Sequence, residues 1–316
     1  MEQVTGAFTW SGTIRSFVAL GDSFAEGMVD NRPDGSIRGW ADRVAERLAA
    51  IERDLVYANL SVRGKLIRQI SDDQVPVALG MRADLVSLSG GLNDIARPGC
   101  DIEQVCAELA RCTESLAKAA GRVLMFQPMD FTRRMPSMER FAPRVRVLMD
   151  CVERLKARYG VVVVDLSVER VFDDPRMWAP DRVHPSAEGH RRIAEAVLEA
   201  LGYETAFDWR ASLPPARRKR ALARMWGDIV WSVRFVAPWL KRRITGTSSG
   251  DGMPPKRPEL SPVLGAVDVL QAAEFNGAES SGAESSCAES NGAEPSRVEA
   301  LGAQTLAPEP IQAQAA

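Results

Sequence analysis

Three short stretches of the sequence carry side chains that could do covalent chemistry together. Gly21-Asp22-Ser23 offers a hydroxyl, Gly91-Leu92-Asn93-Asp94 an amide donor beside a carboxylate, and Asp181-Arg182-Val183-His184 an imidazole three residues after an acid. A serine hydroxyl becomes a nucleophile when a base takes its proton, and a histidine base needs a partner at its second ring nitrogen to hold its tautomer. Asp181 could be that partner for His184. Gly-Asp-Ser by itself is ordinary turn chemistry. The chain has two histidines, His184 and His190. His190 has no acid three residues before it and falls inside a helical pattern starting near Ser186, so it is expected on a helix surface. Asp22 and Asp94 are expected to cap or pin their loops by accepting backbone hydrogen bonds, not to form a catalytic carboxylate pair. One free histidine among scattered acids is no metal-ligand cluster, so no metal and no cofactor are expected. Trp178 could border an acyl pocket, although a large aromatic there reads more simply as packing.

These residues need a scaffold that brings them together. Short β-branched runs at 17–20, 55–59, 85–88, 123–127 and 161–165 alternate with helical patterns at 40–50, 102–120, 144–159 and 187–201, where apolar residues recur at three- and four-residue spacing. That alternation is the signature of a parallel α/β sheet of five strands. Gly121 and Gly160 each stand between a helix and a strand, as C-terminal caps would. The three chemical stretches follow the first, third and fifth strands. In an open parallel sheet the carboxyl ends of the strands form the ligand-binding edge, so they are expected to converge there.

In this order the motifs resemble those of the SGNH hydrolases, the GDSL esterase/lipase family. Residues 17–27, Phe-Val-Ala-Leu-Gly-Asp-Ser-Phe-Ala-Glu-Gly, are similar to its first block, and 59–64, Asn-Leu-Ser-Val-Arg-Gly, to its second. Gly91 to Asp94 is similar to the third block and Asp181 to His184 to the fifth. The resemblance covers about residues 15–201 and implies a flavodoxin-like three-layer α/β/α sandwich with a five-stranded parallel sheet. It also implies roles: Ser23 as nucleophile, His184 as base, Asp181 as its orienting acid, and an oxyanion hole built from the N–H groups of Ser23 and Gly64 and the amide of Asn93. Read without the family, Gly64 is a turn glycine after the second strand. Residues 29–42 and 248–258 further resemble an actinobacterial branch. The activity implied is hydrolysis of carboxylic esters, of an acyl lipid or an acetyl ester, through an acyl-enzyme intermediate. A non-catalytic binding or scaffold protein and an acyltransferase are the alternatives.

Composition limits the remaining choices. The 316 residues carry 40 Lys+Arg against 42 Asp+Glu, a net charge of −2 that argues against a general nucleic-acid binder. Five cysteines without a C-x-x-C pair suggest neither a disulfide framework nor a zinc finger, and fit a reducing cytoplasm. Residues 1–16 lack the basic start and apolar stretch of a secretory signal, so export is not expected. The apolar stretch 229–240 is interrupted by Arg234 and Pro238 and is too short to span a membrane.

The chain therefore divides into a hydrolase domain at 1–205, a basic amphipathic helical extension at 206–264 and a disordered acidic tail at 265–316. Within the extension, residues 216–243 hold nine Lys/Arg against Asp228 alone, with an apolar stripe at Leu222, Met225, Trp226, Ile229, Val230 and Val233. The simple expectation is that the stripe packs on the α/β domain. The sharper one is peripheral contact with anionic lipid, with Trp226, Trp231 and Trp239 near the interface. The tail holds four copies of a five-residue unit over 276–295, and from 273 onward seven Glu oppose only Arg297, so it could lie on the basic helix. A monomer acting on a small-molecule ester is expected.

Overall fold

The structure, a computed structural model, describes residues 12–129, 131, 134–167, 170–215, 228, 230–238 and 247–263. Five strands run parallel: β1 (Ser16–Leu20), β2 (Val56–Asn59), β3 (Leu85–Leu88), β4 (Arg122–Phe126) and β5 (Val162–Val164). A sixth, β6 (Arg257–Pro262), pairs antiparallel with β2, giving the order β5-β4-β3-β1-β2-β6. The expected five-stranded sheet thus gains an edge strand, and the segment 206–264 is not helical throughout. Its sequence, Arg-Pro-Glu-Leu-Ser-Pro, hides the strand because an edge tolerates prolines and charges that a central strand does not.

Side chains along a strand point alternately to the two faces, so each strand feeds two cores. Phe17 and Ala19 of β1, with Tyr57, Leu85 and Leu124, meet α2 (Gly39–Ile51) and α8 (Ala187–Ala200). Val18 and Leu20, with Ala58, Val86, Leu88, Val123 and Met125, meet α3 (Ile67–Asp73), α4 (Val75–Met81), α6 (Ile102–Ala119) and α7 (Ala142–Tyr159). Helices on both faces explain why the strands read as continuous apolar runs. The pair α3 and α4 escapes the periodicity because each has only seven residues and they break at Gln74, with Pro76 in the first turn of α4. Two one-turn helices, α1 (Ser23–Glu26) and α5 (Leu92–Ile95), follow β1 and β3 directly.

The reading of His190 is corrected. It is fully buried on the face of α8 that packs against α2, sharing that face with Ile193, Ala194 and Val197. Its Nδ1 accepts from the Trp40 N–H at 3.2 Å, and its Nε2 donates to the Met28 carbonyl at 3.1 Å. Burial pushes the imidazole down to about 4, so it stands neutral as a structural linker. The i, i+3, i+4, i+7 spacing of 190, 193, 194 and 197 is the signal that marks it as inward-facing.

Most of the expected basic helix over 216–243 lies outside the described residues, as do the whole of the tail and its repeats. Of the expected helix, Asp228 and 230–238 are described, and 230–238 is helical. Val230 and Val233 of the expected stripe are 56% and 68% exposed, so these two do not pack on the domain. Among the described residues no helix is long and apolar enough to cross a membrane.

Candidate active site

The turn after β1 presents Ser23. Gly21 adopts φ +152° flush against Ser89, where a side chain would collide. Buried Gln74 grips it from both sides: its Oε1 accepts from the Gly21 N–H at 2.8 Å and its Nε2 donates to the Gly21 carbonyl at 2.9 Å. Asp22 then caps α1 by accepting from the Phe24 N–H at 3.0 Å, as expected for an aspartate at that position. Ser23 is the first residue of that one-turn helix, held by its two predecessors.

His184 comes from a loop 161 residues away. Its Nε2 lies 2.9 Å from Ser23 Oγ, and its Nδ1 lies 2.6 Å from Asp181 Oδ2. With the Nδ1 proton on the aspartate side, Nε2 is left to accept the serine hydroxyl hydrogen. The other Asp181 oxygen accepts from the N–H groups of Val183 and His184 at 2.9 and 3.0 Å. Burial raises the Asp181 pKa, but the hydrogen bond and charge of His184 and these two N–H groups outweigh it, so the carboxyl ends below its ordinary value. An ionised partner for the imidazole follows.

Asn93 lies between the other two loops. Its Nδ2 donates to Asp22 Oδ2 at 2.9 Å and to the Lys65 carbonyl at 3.1 Å, so it bridges the neighbour of Ser23 and the neighbour of Gly64. Gly64 adopts φ +74° in the loop after β2, and a Cβ there would fall on Ser248 Oγ. Asp94 pins the same loop by accepting from the Ile67 N–H at 3.1 Å. Burial raises both Asp22 and Asp94 to about 6, only partly offset by their backbone donors. All five expected site residues therefore sit on the carboxyl-end loops. Ser23, His184 and Asp181 join in one hydrogen-bonded chain, and Asn93 ties the Ser23 and Gly64 segments together.

Trp178 is committed to packing. Its Nε1 donates to the Phe172 carbonyl at 2.8 Å, its ring meets Phe172 edge-on, and the Arg134 guanidinium lies 3.8 Å from the ring centre. Residues that motif reading does not find also hold the site. Gln74 leaves no signal, because its partners are backbone atoms of a distant turn. Arg63 forms a bidentate pair with buried Glu26 at the end of α1. Trp231 donates from Nε1 to the Asp181 carbonyl at 2.8 Å. Among the described residues no three His, Cys, Asp or Glu side chains gather as a metal ion would need.

The model of a family described as GDSL-like lipase/acylhydrolase matches residues 19–192, more than half of the chain and a span containing Ser23, Gly64, Asn93, Asp181 and His184. Among solved structures, LAE5, an alpha/beta hydrolase enzyme from the metagenome of Lake Arreo, Spain, is similar with a TM-score of 0.50 at 25% identity, over 60% of this chain and 95% of its own. The acetylxylan esterase Axe2 from Geobacillus stearothermophilus gives a TM-score of 0.49 at 19% identity, over 64% of this chain and 99% of its own. No curated protein matches the sequence.

Proposed function

The chain belongs to the GDSL-like lipase/acylhydrolase family and is an ester-bond hydrolase; on that premise we propose that it cleaves carboxylic esters through an acyl-enzyme intermediate on Ser23. The observation that carries this reading is the chain of hydrogen bonds Ser23 Oγ to His184 Nε2 at 2.9 Å and His184 Nδ1 to Asp181 at 2.6 Å. Ser23 Oγ attacks the acyl carbonyl carbon as its proton passes to His184 Nε2, and Asp181 stabilises the imidazolium that forms. The negative charge gathering on the carbonyl oxygen is met by the N–H groups of Ser23 and Gly64 and by the Asn93 amide. Collapse expels the alcohol, which takes the proton from His184. Water then repeats the cycle on the acyl-serine, and Ser23 is regenerated.

The substrate class favoured is an acyl lipid presented at an anionic membrane surface. Val230 and Val233 stand exposed on the helical segment whose Trp231 touches the Asp181 loop, and the surrounding sequence is strongly basic, a combination suited to an interfacial helix. Residues 29–42 and 248–258 support placing the chain in an actinobacterial branch of the family.

The test is hydrolysis of p-nitrophenyl acetate, butyrate and octanoate by the wild type and Ser23→Ala. Turnover by the wild type with a loss of at least about 10³-fold in the variant is expected. Equal rates in the two proteins would overturn the serine mechanism. Product analysis with an added alcohol distinguishes hydrolysis from acyl transfer. Sedimentation with vesicles containing anionic lipid at low salt tests the surface, and no co-sedimentation would remove the lipid assignment.

A further inference from the structure

The loop carrying Asp181 and His184 is held from outside by a segment beyond the reach of the family match, which ends at residue 192. Trp231 donates its indole N–H to the Asp181 main-chain carbonyl at 2.8 Å. Asp228, one turn earlier, pairs with Arg182 at 2.6 Å, and the Arg182 guanidinium lies 4.8 Å from the centre of the Trp231 ring. Arg182 itself stands in the left-handed region at φ +63°, a backbone that side-chain-bearing residues keep only where their surroundings enforce it. Its carbonyl accepts from the Arg134 guanidinium. Asp181 is thus gripped twice. Its carboxylate is held by Val183, His184 and the imidazole within the loop, and its peptide by Trp231.

We propose that Trp231, supported by Asp228, is a positioning residue for the Asp181–His184 pair, so that the segment after the family-matched domain belongs to the working apparatus of the site. This rests on the reading of Ser23 and His184 as nucleophile and base. Trp231 touches no reacting atom and acts through the Asp181 peptide. When that peptide is released, the carboxylate can drift from Nδ1, the imidazole loses the partner that stabilises its charged form, and the wrong tautomer becomes accessible. Both effects slow proton removal from Ser23 without altering how an ester binds.

Trp231→Phe keeps an aromatic ring for Arg182 and deletes the N–H donor together with the five-membered ring that bears it. Two readouts are needed: steady-state kinetics on a p-nitrophenyl ester, and the rate at which a fluorophosphonate modifies Ser23 as a function of pH. The expected result is a fall of about tenfold in both kcat and the labelling rate, with KM unchanged and the acid limb of both profiles moved to lower pH. Asp228→Ala, at a position whose side chain is 62% exposed, moves both rates in the same direction by a smaller factor, and it decides the question if Trp231→Phe does not fold. Wild-type rates in the variant overturn the proposal, as does a loss with the acid limb unmoved, which would mark general damage to the fold. A wild type that takes the label on Ser23 yet cleaves no ester defeats the substrate reading and leaves the positioning test intact. A wild type that takes no label at any pH overturns both.

Discussion

Asn93 donates one amide hydrogen to the Asp22 carboxylate and the other to the Lys65 carbonyl, so a single side chain spans the segments carrying Ser23 and Gly64. An oxyanion forming between those segments must draw one of these N–H groups from its resting acceptor, and the longer bond to Lys65 is the easier to give up. Asn93→Ala is expected to lower kcat by about 10²- to 10³-fold with little change in KM. Steady-state kinetics on a p-nitrophenyl ester check this, and a variant within threefold of wild type would remove Asn93 from the oxyanion hole.

Asp22 places a titration on the acid side of the activity profile. Burial raises its carboxyl to about 6, so the charged form that faces His184 and accepts from Asn93 prevails above that pH and is lost as pH falls through it. The acid limb of the kcat/KM profile is therefore expected to include a fall through about pH 6, and in Asp22→Asn that limb is expected to be shallower than in the wild type. Limbs of equal slope in the two proteins would show that Asp22 does not titrate with activity.

Gly64 and Ser248 touch where no side chain could intervene. Gly64→Ala is expected to cost about 1–2 kcal/mol for the left-handed backbone, with a further penalty for overlap with Ser248 Oγ. Ser248→Ala in that background removes the overlap and leaves the backbone cost. Urea denaturation of the two single variants and the double variant measures the difference, and strict additivity would contradict the contact.

Lys256 reaches from the start of β6 into the base of α1 and α2. Its ammonium donates to the carbonyls of Glu26 and Arg38, both at 2.6 Å, and pairs with Asp42. Burial pushes Asp42 up to about 6 and Lys256 below its ordinary value, so neither charge is comfortable without the other. Lys256→Met is expected to destabilise the fold by about 3–5 kcal/mol, because it strands a buried carboxylate and two carbonyls. Asp42→Leu added to Lys256→Met should recover part of that loss in the same denaturation experiment. A single variant as stable as wild type would show that β6 docks without the pair.

The five parallel strands, their four long helices and the three chemical stretches were all legible in the residues themselves. Strand runs and helical periodicity are local patterns, and Asp181 and His184 lie three residues apart on one loop. Ser23, Gly64 and Asn93 were named as partners by the resemblance to the family's motif blocks, and parallel topology brings the strand ends that carry them together. Tertiary structure alone decided the rest. That His190 is buried depends on which face of α8 meets α2, and that Gln74 grips Gly21 depends on contacts across 53 residues with backbone atoms, which carry no residue signature. The edge strand at Arg257–Pro262 became a strand only because β2 offered it an unpaired side, and Trp231 holds the Asp181 peptide only because tertiary structure brings it to a loop 50 residues earlier. Local patterns announce which elements form. Which distant backbone group a side chain serves is set by packing, since the free energy that rewards the contact exists only once the sheet and its helices have brought the two together.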